Sequence, residues 1–143
     1  MAKAEEFVGR EYGPFTYHVG HEKIREYASA TKNSHPWHHD EAAAEAVGGL
    51  MAPPMFAVIP TFKPVIACVS DEELEIDLAK LVHGEQEFQF HRPIRAGDKL
   101  ITTGCMETVR EKGPMYFVKI RTTTTDGDGE AVVTGLWNLV IRI

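Results

Sequence analysis

The run APPMFAVIPTFKPVIACVS, residues 52–70, is apolar on nearly every side, and it restricts the fold more than any other stretch of the chain. A helix that is apolar all round has to be wrapped by other structure. Pro53 and Pro54 suit a first helical turn, where the missing N–H would be unpaired in any case. Pro60 and Pro64 delete interior backbone bonds and predict a kink. The expectation is one buried, kinked helix and a layer of other structure to cover it.

That layer is legible downstream. LVHGEQEFQFHRPI alternates imperfectly, with Val82, Gln86, Phe88 and Phe90 on one side and His83, Glu85, Glu87 and Gln89 on the other, as in a half-buried strand. DKLITTGCMETVREKG and PMYFVKIRTTTTDGDG read as two further strands about a Gly113-Pro114 turn. EAVVTGLWNLVIRI is a fourth, entered through the hairpin signal Asp126-Gly127-Asp128-Gly129. Upstream, YGPFTYHVG (12–20) reads as a strand, and HEKIREYASAT sets Ile24, Tyr27 and Ala28 at helical spacing. DEAAAEAVGG opens on Asp40, a good N-cap, and stops at Gly48-Gly49. Early helices followed by a run of neighbouring antiparallel strands make an α+β fold, one curled sheet against a central apolar helix. With 143 residues and no repeat or linker, the chain reads as a single domain, 1–143.

Charge and cysteine usage narrow the function. A net charge of −6 without any Lys/Arg cluster argues against a nucleic-acid partner. No apolar run approaches the length of a membrane span, and MAKAEEFVGREYG has no apolar stretch after its lysine, so neither a signal peptide nor a membrane partner is expected and the cytoplasm is the default location. Cys68 and Cys105 lack any metal-ligand or CxxC spacing and read as small core residues rather than a disulfide.

One cluster stands apart. TKNSHPWHHDEAAAEAVGG, Thr31 to Gly49, places His35, His38 and His39 directly ahead of the alanine-rich helix. Imidazole is a common metal ligand and acid–base group, but only Asp40 could join these as a further ligand, so no metal is expected. A packed core role for His38, and capping or exposed roles for His35 and His39, are the plain alternatives. Asp98 reads as a turn residue bonding its own backbone.

This stretch resembles a variant of the hydratase signature (Ser/Thr)-Gly-Asp-x-Asn-Pro-hydrophobic-His-x-Asp, and FHRPIRAGDKL (90–100) resembles the aromatic-x-Arg-Pro-x-x-x-Gly-Asp-x-Leu turn of the same group. Together they are similar to the MaoC-like branch of the hotdog fold, the (R)-specific enoyl hydratases and 3-hydroxyacyl-thioester dehydratases. VGREY, EKIREYA, GLMAPPMF and FHRPIRAGD are similar to an actinobacterial subgroup with a FAS1-like dehydratase domain, which includes the partner rather than the main catalytic subunit of a heterodimeric dehydratase. The resemblance implies a hotdog fold, an antiparallel sheet wrapped around a central helix.

It also implies a chemistry. Dehydration removes a proton from C2 and expels hydroxide from C3 of a 3-hydroxyacyl thioester, which needs an acid–base pair and a donor for the thioester oxygen. In the family an aspartate and a histidine five residues later grip the water. Carried over, the histidine is His38, with Pro36 and Trp37 before it and Asp40 after it. The aspartate position falls on Asn33, the supporting asparagine on His35, and the preceding glycine on Lys32. Asparagine can orient water but cannot serve as the carboxylate base. The family's backbone N–H donor falls near Ala52–Pro54, where proline has none to give.

The implied catalytic residues are therefore Asn33 and His38, with His35, Met55, Phe56, Ile59 and Phe62 as candidate substrate contacts. Plain core is the equal alternative for each apolar one. Arg92 either reaches a pantetheine phosphate or solvates a strand end. The implied substrate is an acyl thioester of ACP or CoA, with no cofactor. The implied assembly is a homodimer or a heterodimer with a catalytic MaoC-like subunit. A slow stand-alone hydratase, a hotdog thioesterase and a non-catalytic acyl-binding scaffold remain as alternatives. The thioesterase is disfavoured because 54–69 carries no carboxylate.

Overall fold

The computed structural model describes residues 4–143. In chain order the elements are β1 (Glu11–His18), α1 (His21–Ala30), the short α2 (Glu41–Ala44), α3 (Val58–Val69), β2 (Leu81–Phe90), β3 (Lys99–Lys112), β4 (Met115–Thr125) and β5 (Ala131–Arg142). The strands form one antiparallel sheet in the order β1-β3-β4-β5-β2. The predicted α+β arrangement of a single sheet against one apolar helix is what the chain adopts.

Local chemistry sets most boundaries. Asp40 caps α2, its Oδ1 accepting from the Ala42 and Ala43 N–H groups at 2.9 and 3.3 Å. Gly48 closes this segment at φ 89°, a conformation that excludes most side chains. Asp126 makes the β4–β5 turn by accepting from the Asp128 and Glu130 N–H groups at 2.9 and 3.0 Å. Strands β3, β4 and β5 follow one another as a meander.

Three expectations need correction. First, β2 is not the neighbour of β3. It pairs with β5, from Leu81 opposite Ile141 to Phe90 opposite Val133, because β1 and β4 occupy both edges of β3. The FHRPIRAGD segment carries the chain across between them. Second, the imperfect alternation in β2 is a bulge at Gly84, where the register shifts between His83 and Glu85. His83 therefore turns inward and stacks on Trp137 with ring centroids 4.9 Å apart. Val82 turns outward opposite Val140 and is exposed.

The third correction concerns the central helix. It is preceded by a one-turn 3-10 helix, Pro54–Ala57, so Pro60 falls in the first turn of α3 and only Pro64 is interior. Helix α3 lies over β1, β3 and β4. Gly104 permits this approach, since a Cβ there would come within 2.9 Å of Pro64 Cβ. Pro60, Thr61, Pro64, Val65, Cys68 and Val69 are buried, but the other flank is bare. Met55 is 50% exposed, Phe62 48% and Ile66 42%. An all-round apolar helix implies burial on all sides, and the described residues of one chain cover only part of it.

Two apolar cores result. One gathers Val65, Cys68, Met106, Ile120, Trp137 and Leu139; the other gathers Ile24, Ala44, Phe56, Leu100 and Val133. Both cysteines are free, and burial pushes the Cys68 thiol up to about 12. No helix among the described residues is long and apolar enough to cross a membrane.

Candidate active-site cleft

The histidine-rich loop is organised by its own polar side chains. After α1 the chain turns through Lys32 at φ 57°, and the Asn33 N–H donates to Ala28 O at 2.8 Å. Asn33 Oδ1 accepts from the His35 N–H at 3.2 Å, and His35 Nδ1 accepts from the Trp37 N–H at 3.3 Å. These bonds start the one-turn 3-10 helix Pro36–His38. His39 Nε2–H donates back to the Asn33 carbonyl at 2.7 Å. The loop is a closed local network.

His38 is anchored from outside this loop. It is only 7% exposed, and its Nδ1 lies 2.6 Å from the Met51 carbonyl. A carbonyl can only accept, so Nδ1 carries the hydrogen and Nε2 is the basic nitrogen of the neutral ring. The Met51 N–H in turn donates to Trp37 O at 2.9 Å, which staples the two segments together. Residues 50–52 are held against the FHRPIRAGD segment by bonds from Ala52 N–H to Ile94 O at 2.8 Å and from Ala96 N–H to Leu50 O at 2.9 Å.

That second segment is braced by a charge network. Arg92 donates to both carboxylate oxygens of Asp98, at 2.8 and 3.1 Å, and to Asp126 at 3.3 Å. Asp98 also accepts from the Arg95 N–H at 2.8 Å, the turn role read from the sequence. The backbone N–H of Glu130 first, then that of Asp128 and the Arg92 guanidinium, hold the Asp126 carboxyl below the usual range against a smaller opposing effect of burial.

Between the two segments opens a cleft of about 370 Å³, lined by His38, Met51–Pro54 and Phe90–Ile94. Its only ionisable side chains among the described residues are His38, His91 and Arg92. No carboxylate borders it. His91 Nε2 is 3.1 Å from Thr134 Oγ1. In the 51–54 segment no backbone donor is left over: the Met51 N–H bonds Trp37 O, the Ala52 N–H bonds Ile94 O, and Pro53 and Pro54 have none; Met55 does not border the cleft.

The expected site residues thus divide. His38 borders the cleft, whereas Asn33 and His35 are absent from its lining and hold the turn through the Asn33 amide oxygen and the His35 ring; the His35 and His38 ring centroids are 5.8 Å apart. Met55 in the preceding 3-10 turn and Ile59 and Phe62 on α3 lie outside the lining of this cleft. Phe56 is a core residue with 0% exposure, packed edge-on against Tyr17 and Tyr27 at 6.4 and 5.6 Å. It has no surface to offer a ligand. Sequence reasoning missed the Met51 carbonyl as the partner of His38, since a backbone acceptor leaves no trace in residue type. Phe90 and His91 were read as strand and as the start of the FHRPIRAGDKL turn, not as site residues.

Comparison with known proteins identifies the family and the fold. The model for the FAS1-like dehydratase domain region matches residues 6–135. A UPF0336 protein of Saccharopolyspora erythraea is 43% identical over 145 aligned residues, covering 99% of this chain and 93% of its own. The C-terminally truncated HadBC (3R-hydroxyacyl-ACP dehydratase) complex of Mycobacterium tuberculosis contains a chain that superposes with a TM-score of 0.81 at 32% identity, covering 94% of this chain and 96% of that one. A MaoC-like dehydratase superposes with a TM-score of 0.83 at 34% identity over 96% of this chain and 43% of its own length. Sequence and fold agree along nearly the whole chain: the protein belongs to the FAS1-like dehydratase domain region family, and its fold is the hotdog of the MaoC-like dehydratases.

Proposed function

We propose that this chain is a subunit of an (R)-specific 3-hydroxyacyl-thioester dehydratase or enoyl hydratase acting on acyl-ACP or acyl-CoA, with a degenerate catalytic motif and a main role in holding the acyl chain beside a catalytic partner. One observation carries the reading. The cleft presents an imidazole with its basic nitrogen defined, yet no carboxylate among its described lining residues. Water addition takes a proton from the water that attacks C3 and delivers one to C2, and one neutral imidazole supplies half of that.

The partner reading rests on surface that one chain leaves unfinished. Strand β2 is bonded to β5 on one side only. Its inward row His83, Gln86, Phe88 and Phe90 continues the bare flank of α3 through Trp137, whose ring lies 6.2 Å from Phe62 and 6.5 Å from Phe88. Trp137 Nε1 is buried without a hydrogen-bond partner among the described residues. An unpaired strand edge beside an apolar strip invites a second hotdog chain to extend the sheet. The HadBC structure is itself that of a complex. In such a pair α3, with Met55, Ile59 and Phe62, walls the acyl chain.

The test is hydration of crotonyl-CoA, followed by loss of enoyl absorbance. The purified chain alone is expected to turn over far below the tens per second of an ordinary enzyme, and Asn33→Asp is expected to raise the rate. Turnover of tens per second by the parent, abolished in His38→Ala, would overturn the proposal in favour of a self-sufficient hydratase.

A further inference from the structure

The outward face of β2 carries a charge pattern of its own. Beyond the bulge at Gly84 the outward side chains are Glu85, Glu87 and Gln89, opposite Asn138, Leu136 and Thr134 of β5. Glu85 accepts a hydrogen bond from Asn138 Nδ2 at 2.9 Å, which leaves its charge uncompensated. Neither Glu85 nor Glu87 forms an ion pair among the described residues. The outward cations in register with them are Lys119 and Arg121 of β4, two strands inward. Two strand spacings are about 10 Å, roughly one Debye length at physiological salt, and Arg121 is already paired with Glu107.

Self-pairing of this edge has a definite consequence. In a two-fold dimer with sheets continuous through β2, the strands run antiparallel and outward residues meet outward residues. A dyad at Gln86 sets Glu85 against Glu87 of the second copy, twice. A dyad at Glu87 sets that residue against itself, and one at Glu85 does the same there. Directly opposed side chains are about 5 Å apart and diagonal ones about 7–8 Å, where like charges destabilise the pairing. Every central register therefore packs carboxylates against carboxylates on one face.

We infer that β2 is charge-coded against pairing with its own copy and fitted to a different hotdog chain whose edge strand presents Lys or Arg on its outward face, opposite Glu85 and Glu87. This rests on the side-by-side pairing proposed above and adds the chemistry by which the partner is selected. The opposed cations convert the destabilising row into cross-strand ion pairs while the inward apolar strip is buried in either case. Selection and adhesion are thus carried by opposite faces of the same strand.

The experiment uses the full-length chain in three forms: the parent, E85Q/E87Q, and E85K/E87K as a surrogate for the basic partner strand. Sedimentation velocity at low and high salt gives self-association, and native mass spectrometry of mixtures gives pairing. The parent is expected to self-associate weakly at low salt, about tenfold more tightly at 1 M salt and about tenfold more tightly as E85Q/E87Q. A mixture of parent and E85K/E87K is expected to form a 1:1 pair in preference to either homodimer. Equal association of all three forms at every salt concentration would overturn the inference, as would failure of the mixture to pair. Hydrogen exchange of β2 amides separates the two layers of argument. Protection on association with no salt or charge dependence sinks the charge code alone; association that leaves those amides unprotected sinks the side-by-side pairing beneath it.

Discussion

Lys32 shows how a motif can lose its letters and keep its shape. It occupies the position where the family signature has glycine, and it still adopts φ 57°, a left-handed conformation that disfavours side chains by about 1–2 kcal/mol. Lys32→Gly is therefore expected to raise stability by about 0.5–1 kcal/mol, the relief being partly offset by the greater freedom of unfolded glycine. A urea titration checks this. The family spacing thus marked Lys32 as a glycine position, and its backbone is one that glycine favours, even though Lys32, Asn33 and His35 each depart from the signature. The orientation of His38 was not, because it depends on a carbonyl from a segment 13 residues away in sequence. Asp71 makes a second prediction. Burial works against its ionisation, but hydrogen bonds from the Tyr12 hydroxyl, Arg10 and the Glu73 N–H outweigh it and hold the carboxyl below its usual range. A carboxyl whose folded value is depressed contributes stability above its unfolded value near 4, and that contribution disappears as pH falls through the folded value. Asp71→Asn is expected to lower stability at pH 7 by about 1 kcal/mol, a modest figure because Arg10 is exposed and screened, and to match the parent in strong acid. Thermal melts across pH 2–7 measure both.

At the scale of elements, the close approach of α3 to the sheet is a matter of one missing Cβ. Gly104 sits under Pro64, and neither the strand nor its neighbours can move without disturbing the β1–β3–β4 ladder. Gly104→Ala is expected to destabilise the fold by about 1–3 kcal/mol through overpacking, visible as a lower urea midpoint at unchanged slope. The sequence allowed the helix and all five strands to be placed, since each has its own periodicity or turn chemistry. It did not reveal that β2 crosses to the far edge. Local pattern specifies a strand but not its neighbour, and the imperfect alternation of LVHGEQEFQF hid a bulge that puts Val82 and His83 on the faces opposite to those read. The same bulge brings His83 into the inward row with Gln86, Phe88 and Phe90 and turns Val82 out beside Glu85 and Glu87, so the feature that blurred the sequence signal also sets the composition of the edge's two faces.

The molecule as a whole has one element that a single chain does not finish. Met55 in the 3-10 turn and Ile59, Phe62 and Ile66 on α3 recur at helical spacing, and three of them are among the exposed large hydrophobics. In an isolated domain such a stripe would be a liability. In the proposed pair it would be a wall shared with the neighbour and with the acyl chain. Phe62 separates these cases, because its ring meets Trp137 at the seam between helix and sheet while 48% of its surface is bare. If the stripe were only loosely packed core, Phe62→Asp would lower stability by several kcal/mol, as core truncations do. If it is an interface, the same change is expected to alter the stability of the lone chain by about 0.5–1 kcal/mol yet weaken binding of a catalytic partner by about 2 kcal/mol or more, some 30-fold. Chemical denaturation of the isolated chain and calorimetry of the pair read the two quantities independently. A large loss in the first with none in the second would return α3 to the role of plain core and leave β2 as the sole basis for assembly.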